Sequence, residues 1–552
     1  MTSVPDPAGL PSGLVVDGPV GSTPLAGVDA HRRGRDLRLA AKGGGVVFAG
    51  KLFAWGTRFV LAVILARVLA PEGYGLYNLA LTAVTIASSF AVLGLDSAVI
   101  RWVSIFDRRG DRAGMLGALQ VGIGLPALVS LAIAAALVFA AVPVAQYVLS
   151  NPEVAALLPV AALLVPFMVL NRQLGAALQG LKKIEFGILA EQFSQPPIRF
   201  AIIMGFIGLA TLGAFEAVAS ATLAAGAATL ILAFFVVRYA HLRQAPRPVR
   251  RETREMLVFS LPIWFSNIVT TVGTNLQTLV LSAFSTLANV GIFAIAAHVN
   301  LLASLFHTSV VQSSMAIFAD LHDRGDRPGL GHLYQTTSKW TFSLNLPLFI
   351  VIVLFPGALL SVFGSGFSAG APALVILGLE ALANSATGTS GSLLDMTGHT
   401  RVKFVNSTVA AGTALALNVL LIPPFGLIGA AMAALGATLA VNLLRVAQVW
   451  YLLRLLPWER SFVKPILAGL GAFAVGAGVA MALAGIDPIL RVLVGGLAIV
   501  AVYAFILVRL GISDDDRELL SRAARRFRRR GKGRTDSDAD DNDREMGELD
   551  GR

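Results

Sequence analysis

The sequence predicts an all-α integral membrane protein. About fourteen transmembrane helices are expected, as two parallel six-helix lobes followed by two C-terminal helices. Three observations predict this. The 552 residues are 55% hydrophobic and only 14% charged, where a soluble chain carries about 25% charge, and the mean hydropathy is +0.73. The apolar residues fall in runs of about 20 or more, the length that crosses about 30 Å of hydrocarbon as helix. Short motifs also recur in the same order in the two halves of the chain.

The elements follow in order. Residues 1–42 are rich in Pro, Gly and small polar types and contain no apolar core of signal-peptide length, so they read as a disordered cytoplasmic tail rather than a cleaved leader. An N-lobe over 43–237 holds spans at 46–70, 74–96, 115–140, 154–179, 186–208 and 213–237. A basic cytoplasmic linker, 238–256, leads to a C-lobe over 257–453, with spans at 257–281, 290–316, 333–355, 371–394, 402–422 and 426–452. Two more spans, 462–484 and 488–510, fill the segment 454–510. A second disordered cytoplasmic tail occupies 511–552. Its basic block 522–534 is expected to lie on anionic lipid, and its acidic stretch 536–550 to extend away from it.

Charge sets the orientation. Alternate loops contain no Lys or Arg: "PEG" (71–73), "AVPVAQYVLSNPE" (141–153), "LATLGAFE" (209–216), "AFSTLAN" (283–289) and "PGALLSVFGSGFSAGA" (356–371). The opposite set is basic, including "DRRGDR", "GLKK", "DRGDR" and "TRVK". The positive-inside rule then puts both termini in the cytoplasm of a multi-pass cell-membrane protein. It also accounts for the net charge of +11 without a nucleic-acid partner. With no cysteine, thiol catalysis, disulfides and cysteine–metal sites are excluded.

The repeat has three parts. "DRRGDRAG" (107–114) returns as "HDRGDRPG" (322–329), "LAPEGYGLYNLA" (69–80) as "LANVGIFAIA" (287–296), and "GLKKIEF" (180–186) as "GHTRVKF" (398–404). One unit of six spans has been duplicated. Six is even, so both copies face the same way, about an axis along the membrane normal. Such a pair of bundles encloses its substrate near the midplane.

Charges inside spans therefore mark a cavity. Each costs about 2.5–3.5 kcal/mol at the bilayer centre and turns toward water or a partner. Arg58, Arg199 and Glu380 fall near mid-span; Lys51, Arg67, Arg172, Glu191 and Glu216 lie nearer an end. Lys51 and Arg58, seven apart, share a helix face. Arg67 points the other way, and for it and Lys51 snorkelling to a surface is as good a reading as cavity lining. In "EQFSQPPIRF" (191–200) tandem prolines break span 5 and free carbonyls that Gln192, Gln195 or Arg199 can serve, unless these three instead line a polar path. In span 10, Glu380 and Asn384 are one turn apart and are the part of a small-residue run that packing explains least. His298 and His307 lie on opposite faces and read as packed residues, not a metal pair. No zinc spacing, Walker loop or nucleophile elbow occurs. No cofactor is expected, and transport would be driven by a proton or sodium gradient or by the substrate gradient.

The stretch "RFVLAVILARVLAPEGYGLYNLA" (58–80), followed by "LGLDSAVIRWVS" (93–104), resembles the start of the polysaccharide-biosynthesis flippases. These are the O-antigen and exopolysaccharide exporters of the multidrug/oligosaccharidyl-lipid/polysaccharide superfamily. The resemblance implies that a polyprenyl-pyrophosphate-linked oligosaccharide is turned across the membrane by alternating access. It implies a monomer among membrane lipids, with polymerase or glycosyltransferases of the same pathway as partners. Cationic cavity residues of relatives hold the pyrophosphate. Arg58 and Arg67 match arginines of the family's first helix, and Arg101 one after the second. Lys51, Arg172 and Arg199 complete the candidate anion-binding set. Many members carry Asp in span 7 where this chain has Gln277, so the ion-coupling role passes by expectation to Glu380, with Glu191, Gln277 and Asn384 as further candidates. Two alternatives stay open: an ion-coupled drug or metabolite exporter of the same superfamily, and a membrane polysaccharide polymerase or ligase. The second is disfavoured by outer loops of at most about sixteen residues, the longest of which (356–371) has no acid, His or Arg.

Overall fold

The computed structural model describes residues 26–240, 249, 251–398 and 400–511. Both the basic block 522–534 and the acidic stretch 536–550 lie outside the described residues. The long helices are α1 (Ala26–Ala91), α2 (Leu95–Arg109), α3 (Arg112–Phe139), α4 (Leu164–Gly180), α5 (Gln195–Gly208), α6 (Ala214–Tyr239), α7 (Thr253–Phe284), α8 (Leu287–Asp323), α9 (Arg327–Leu354), α10 (Ala371–Ala386), α11 (Thr400–Leu453), α12 (Val463–Ala482) and α13 (Pro488–Arg509). Among the described residues there is no strand. Because α1 begins at Ala26, the backbone over 26–42 is helical, where a disordered tail was expected.

Among the described residues, ten helical stretches are long and apolar enough to cross a membrane, eleven if the bent pair Leu287–Ala303 and His307–Asp323 forms one span, and the count of fourteen is not reached one to one. The stretch Trp55–Ala91 is two helices, the expected spans 1 and 2, meeting at a kink at Ala70, whose φ of 56° is left-handed and which precedes Pro71. The stretch Val402–Leu453 likewise is broken at Gly426, just after Pro423 and Pro424. Span 5 is split by a π-helical turn, Leu189–Ser194, which leaves α5 only 14 residues long. The tandem prolines sit just beyond this turn. Within the π turn the carbonyl of Leu189 accepts from the Ser194 hydroxyl at 3.0 Å.

The repeated charged loop is a helix-to-helix connector built twice. α2 ends on Gly110 at φ 67°, and the loop after α8 turns at Gly325, φ 69°, a conformation glycine adopts without penalty. The next residue caps the following helix: Asp111 accepts from the Gly114 amide at 2.8 Å, and Asp326 from the Gly329 amide at 2.9 Å. A side chain on Gly114 or Gly329 would meet the capping carboxylate itself.

The two halves meet through the repeat. A Cβ on Gly75 would collide with the carbonyl of Leu287, and one on Gly291 with the carbonyl of Pro71. Each glycine therefore faces the residue four before the other, as a two-fold axis between equivalent helices requires. Nearby, at the Lys/Arg-free loops, Arg67 Nε donates to the Val362 carbonyl at 2.8 Å. Its near-equivalent Ser282 donates to the Leu149 carbonyl at 3.1 Å. Each contact runs from the end of span 1 or 7 to the loop that follows span 9 or 3 of the other half.

One boundary is crossed by packing. Met256, at the start of α7, is buried in a cluster with Leu95, Val99 and Trp102 of α2. Gly94 lies against the Ser260 carbonyl, and Trp264 Nε1 reaches the Phe90 carbonyl at 3.0 Å. The first turns of span 7 thus rest on the first half of the molecule. The last two helices pack separately, with Ala468, Ala472 and Ile499 buried against Ile350 and Phe355.

Candidate functional site

A cavity of about 520 Å³ opens in the first half of the molecule, between α1, α2, α4 and span 5. The sequence of α4 builds one wall. Met168, Arg172, Gly175, Ala176 and Gln179 all line the cavity, at the i, i+4, i+7, i+8 and i+11 spacing of one helix face. The small residues in the middle make the hollow, and the long polar ones edge it. Opposite lie Ile184, Gly187, Ile188, Glu191 and Gln195, and a Cβ on Gly187 would meet nothing within 4 Å. The π turn carries Glu191 into this wall; such turns frequently mark functional sites.

Arg58 lines the cavity from α1 and is exposed there. Glu191 is the acid within Coulombic reach of it, and Arg199 the neighbouring cation. Arg172 is held by Asp96 of α2: its Nε and Nη2 both reach Asp96 Oδ2, each at 2.8 Å. Arg172 is 46% exposed and Asp96 14%. Two polar neighbours on α4 are bonded to other parts of the bundle, one of them, Asn171, at the cavity's edge. Asn171 donates to the Ala225 carbonyl at 3.2 Å and accepts from Thr229 at 2.7 Å, and Gln173 donates to the Val92 carbonyl at 3.3 Å.

The remaining candidates are elsewhere. Arg199 is bound into helix packing: it donates to Tyr77 Oη at 2.5 Å and, at 3.4 Å each, to Ser220 Oγ and the Ala217 carbonyl. Its guanidinium sits 5.7 Å from the Tyr77 ring centre. It ties span 5 to α1 and α6 and is not among the residues lining the cavity. Arg67 belongs to the junction at the Lys/Arg-free ends. Lys51 lies in α1, and its side chain is outside the described ones. Glu216 caps α6 by accepting from the Gly213 amide at 2.8 Å. Arg101 lies 4.9 Å from the Phe259 ring centre, joining α2 to α7. His298 packs 6.3 Å from the Trp55 ring.

The acids of the second half are satisfied in another way. Glu380 accepts from Thr438 at 2.8 Å and from Asn300 at 3.4 Å, which joins α10 to α11 and α8. Asn384, one turn on, accepts from Asn442 at 2.9 Å, and Asn442 in turn accepts from Arg445 at 3.3 Å. Gln277 is half-buried in α7. Two residues of these networks were missed from sequence. Arg445 is a charge inside an apolar run, the same signal that marked Arg58. Asp96 stands in the quoted stretch "LGLDSAVIRWVS", where only Arg101 was singled out.

The chain compares with known proteins at two levels. The model of a family described as "Polysaccharide biosynthesis protein" matches residues 40–322. The succinoglycan biosynthesis transport protein ExoT of Rhizobium meliloti is 28% identical over 344 residues, covering 60% of this chain and 64% of that protein. An uncharacterised membrane protein of Methanocaldococcus jannaschii is 26% identical over 176 residues, 31% of this chain and 34% of that one. The chain thus spans less than two thirds of the length of both relatives. Among solved structures, the lipid II flippase MurJ in an inward closed conformation superposes with a TM-score of 0.67 at 15% identity, covering 84% of this chain and 99% of that one. An inward-facing MATE family transporter of the MOP superfamily does so at 0.61 and 15%, covering 73% and 94%. At such identities the likeness is one of fold: this chain shares the helical membrane fold of those two proteins.

Proposed function

The chain belongs to the polysaccharide biosynthesis protein family, and from that premise we propose that it is a flippase. Its cargo is a polyprenyl-pyrophosphate-linked oligosaccharide, carried from the cytoplasmic to the outer leaflet by alternating access for assembly of a surface polysaccharide or glycoconjugate. One observation carries the reading: an exposed guanidinium, Arg58, at mid-span in a cavity of about 520 Å³ on the side of the basic loops. A pyrophosphate must leave water for a low-dielectric site. A guanidinium offers it paired donors in a planar fork that matches phosphate oxygens. The sugars enter the polar cavity, and the lipid tail stays among the helices in hydrocarbon.

In this reading the protein lies in the cytoplasmic membrane with both termini inside, as the basic loops favour. It works as a monomer alongside polymerase or glycosyltransferases of its pathway, and it catalyses no covalent chemistry. The two-fold junction at Gly75 and Gly291 is the closed outer end of the translocation path. For the lobes to alternate, that junction must part. Glu380 is the group that takes up a proton or balances a cation during the return step. The test is reconstitution in vesicles with defined polyprenyl-pyrophosphate-linked sugars, measuring which change leaflet. Movement of lipid-linked sugar above that of empty vesicles supports the reading; export of cationic drugs with no movement of lipid-linked sugar overturns it.

A further inference from the structure

A second cavity, also of about 520 Å³, shares no lining residue with the first. It is a groove between the early turns of α3 and the segment that leads into α7. Leu116, Gln120 and Gly124 follow at i, i+4 and i+8 along one face of α3, with Leu119 and Ile123 beside them. Gln120 and Gly124 are exposed, and a Cβ on Gly124 would meet nothing within 4 Å. Arg251 and Thr253 form the other side, and both are exposed. Among the described residues Arg251 bonds a single oxygen, Oε1 of Gln120, through Nε at 3.1 Å and Nη2 at 2.9 Å. That amide is neutral, so it fixes the guanidinium without balancing its charge. The Nη1 end stays available to an anion. No acid is among the described residues that line the groove, and the neighbouring Glu252 is engaged by Trp102 Nε1 at 2.6 Å. The sequence around the groove, 247–255, carries four arginines against two glutamates.

We propose that this groove binds an anionic phospholipid from the leaflet on the side of the basic loops. Such a site is independent of the flippase activity. Gln120 is eight residues after Arg112, the first of α3, so it lies about 12 Å along the helix. Headgroups occupy about the first 5–7 Å of that length. The arginine therefore stands close to the headgroup boundary, while Ile123 and Gly124 reach into hydrocarbon. Basic pockets between helices at this level take acidic headgroups. A simple anion needs no apolar groove, and an alkyl chain needs no arginine; a phospholipid presents both on one molecule. Its phosphate meets the Arg251 fork, with the Thr253 hydroxyl and the Gln120 amide as further donors. Its glycerol and the first part of an acyl chain lie against Leu116, Leu119 and Ile123 and over Gly124. A zwitterionic lipid brings its own ammonium, for which the groove offers no carboxylate, so acidic lipid is preferred. Because α3 belongs to the first half and α7 to the second, the bound lipid holds the two halves together at this end.

The test titrates the full-length protein, purified in detergent, with phosphatidylglycerol or phosphatidylcholine and counts retained lipid by native mass spectrometry. Phosphatidylglycerol should be held at least about tenfold more tightly, the effect of one charged hydrogen bond. Arg251→Gln should erase this preference, and Arg251→Lys, which keeps the charge, should retain part of it. Gln120→Ala removes the neutral partner and leaves the charge, so phosphatidylglycerol should bind it at least as well as the wild type. Gly124→Leu, placed where a Cβ has open space, fills the apolar end and should weaken phosphatidylglycerol several-fold. Equal retention of the two lipids by the wild type, or an unchanged preference in Arg251→Gln, would overturn the assignment. So would unaltered affinity in Gly124→Leu, or a loss in Gln120→Ala equal to that in Arg251→Gln, which would make the pair a link between helices. A wild-type dimer that Gly124→Leu dissociates would put a second copy in the groove and overturn it as well. Binding is read here and not transfer between leaflets, so this result and the fate of the flippase reading stay separate.

Discussion

The two halves of this molecule share a plan and differ in what they do with their charges. In the first, Arg58 and Arg172 face an open cavity. In the second, Glu380 is bonded into the packing of three helices by Thr438 and Asn300. At the 216-residue separation of Gly75 and Gly291, Arg58 falls opposite Thr274 and Glu380 opposite Leu164. Thr274 turns its hydroxyl back to the Thr271 carbonyl at 3.0 Å, and Leu164 is buried in the apolar core. Polar function has thus diverged between the copies, while the parts that shape the backbone recur: the capped connector and the glycine crossing. The difference teaches that a duplicated bundle can keep its frame while the charges of its two interiors take different surroundings.

The sharpest way to break this comparison is to remove the first half's exposed charge. Arg58→Ala should abolish leaflet transfer of the lipid-linked sugar at a normal membrane level of protein, whereas Arg58→Lys, which keeps the charge but loses the fork, should retain part of it. Thr274→Arg in the Arg58→Ala background should not restore transport, because Thr274 is not among the residues that line the cavity. Normal transfer by Arg58→Ala would remove the cargo role from the first half.

A smaller loss is expected at the crossing, and here the two halves should behave alike. Gly75→Ala and Gly291→Ala each put a methyl against a carbonyl of the other half, an overpacking that costs about 1–3 kcal/mol. Both should disfavour the closed outer end. The chain has no cysteine, so a Ser282→Cys and Leu149→Cys pair reports closure directly by disulfide yield. That yield should fall in both glycine variants, by similar amounts. An effect in only one variant would show that the junction is not two-fold in energy.

Much of this was legible in the sequence, and what was not has a common cause. The class, the repeat and the cavity position of Arg58 follow from local signals: run length, motif order and a charge in an apolar span. Whether a charge is already satisfied is not local. Tyr77 meets Arg199 across 122 positions of sequence, and Thr438 meets Glu380 across 58, so the first was misassigned to the cavity and the second was left without partners. Arg67 was ambiguous for the same reason, since its acceptor is a carbonyl 295 positions away. The kinks at Ala70 and Gly426 fall at the expected span boundaries because Pro71, Pro423 and Pro424 are local signals, whereas the π turn that splits span 5 is not announced by any one residue.

Glu380 offers a further asymmetry. Glu380→Gln retains an oxygen for Thr438, so the fold should stand. If the acid couples transport to an ion, the variant should lose most of the several-fold acceleration that an imposed proton or sodium gradient gives the wild type, while transfer without a gradient continues. Acceleration equal to that of the wild type would leave Glu380 as a helix-packing residue, and the second half without a coupling role.

The smallest effect is expected where the halves are most alike. Asp111 and Asp326 make the same bond to an amide three residues on, after the same left-handed glycine. Neither lines the cavity. Asp111→Ala and Asp326→Ala should each cost about 0.5–2 kcal/mol, the usual loss of a helix cap, read as a modest drop in the thermal unfolding midpoint of the purified protein. Turnover per folded molecule should not change. The two variants should match each other closely, because each aspartate caps its own helix by the same bond. If one of them instead lowered turnover at unchanged stability, that copy of the loop would contact cargo or a partner, and the connectors would join the interiors as places where the two halves have parted.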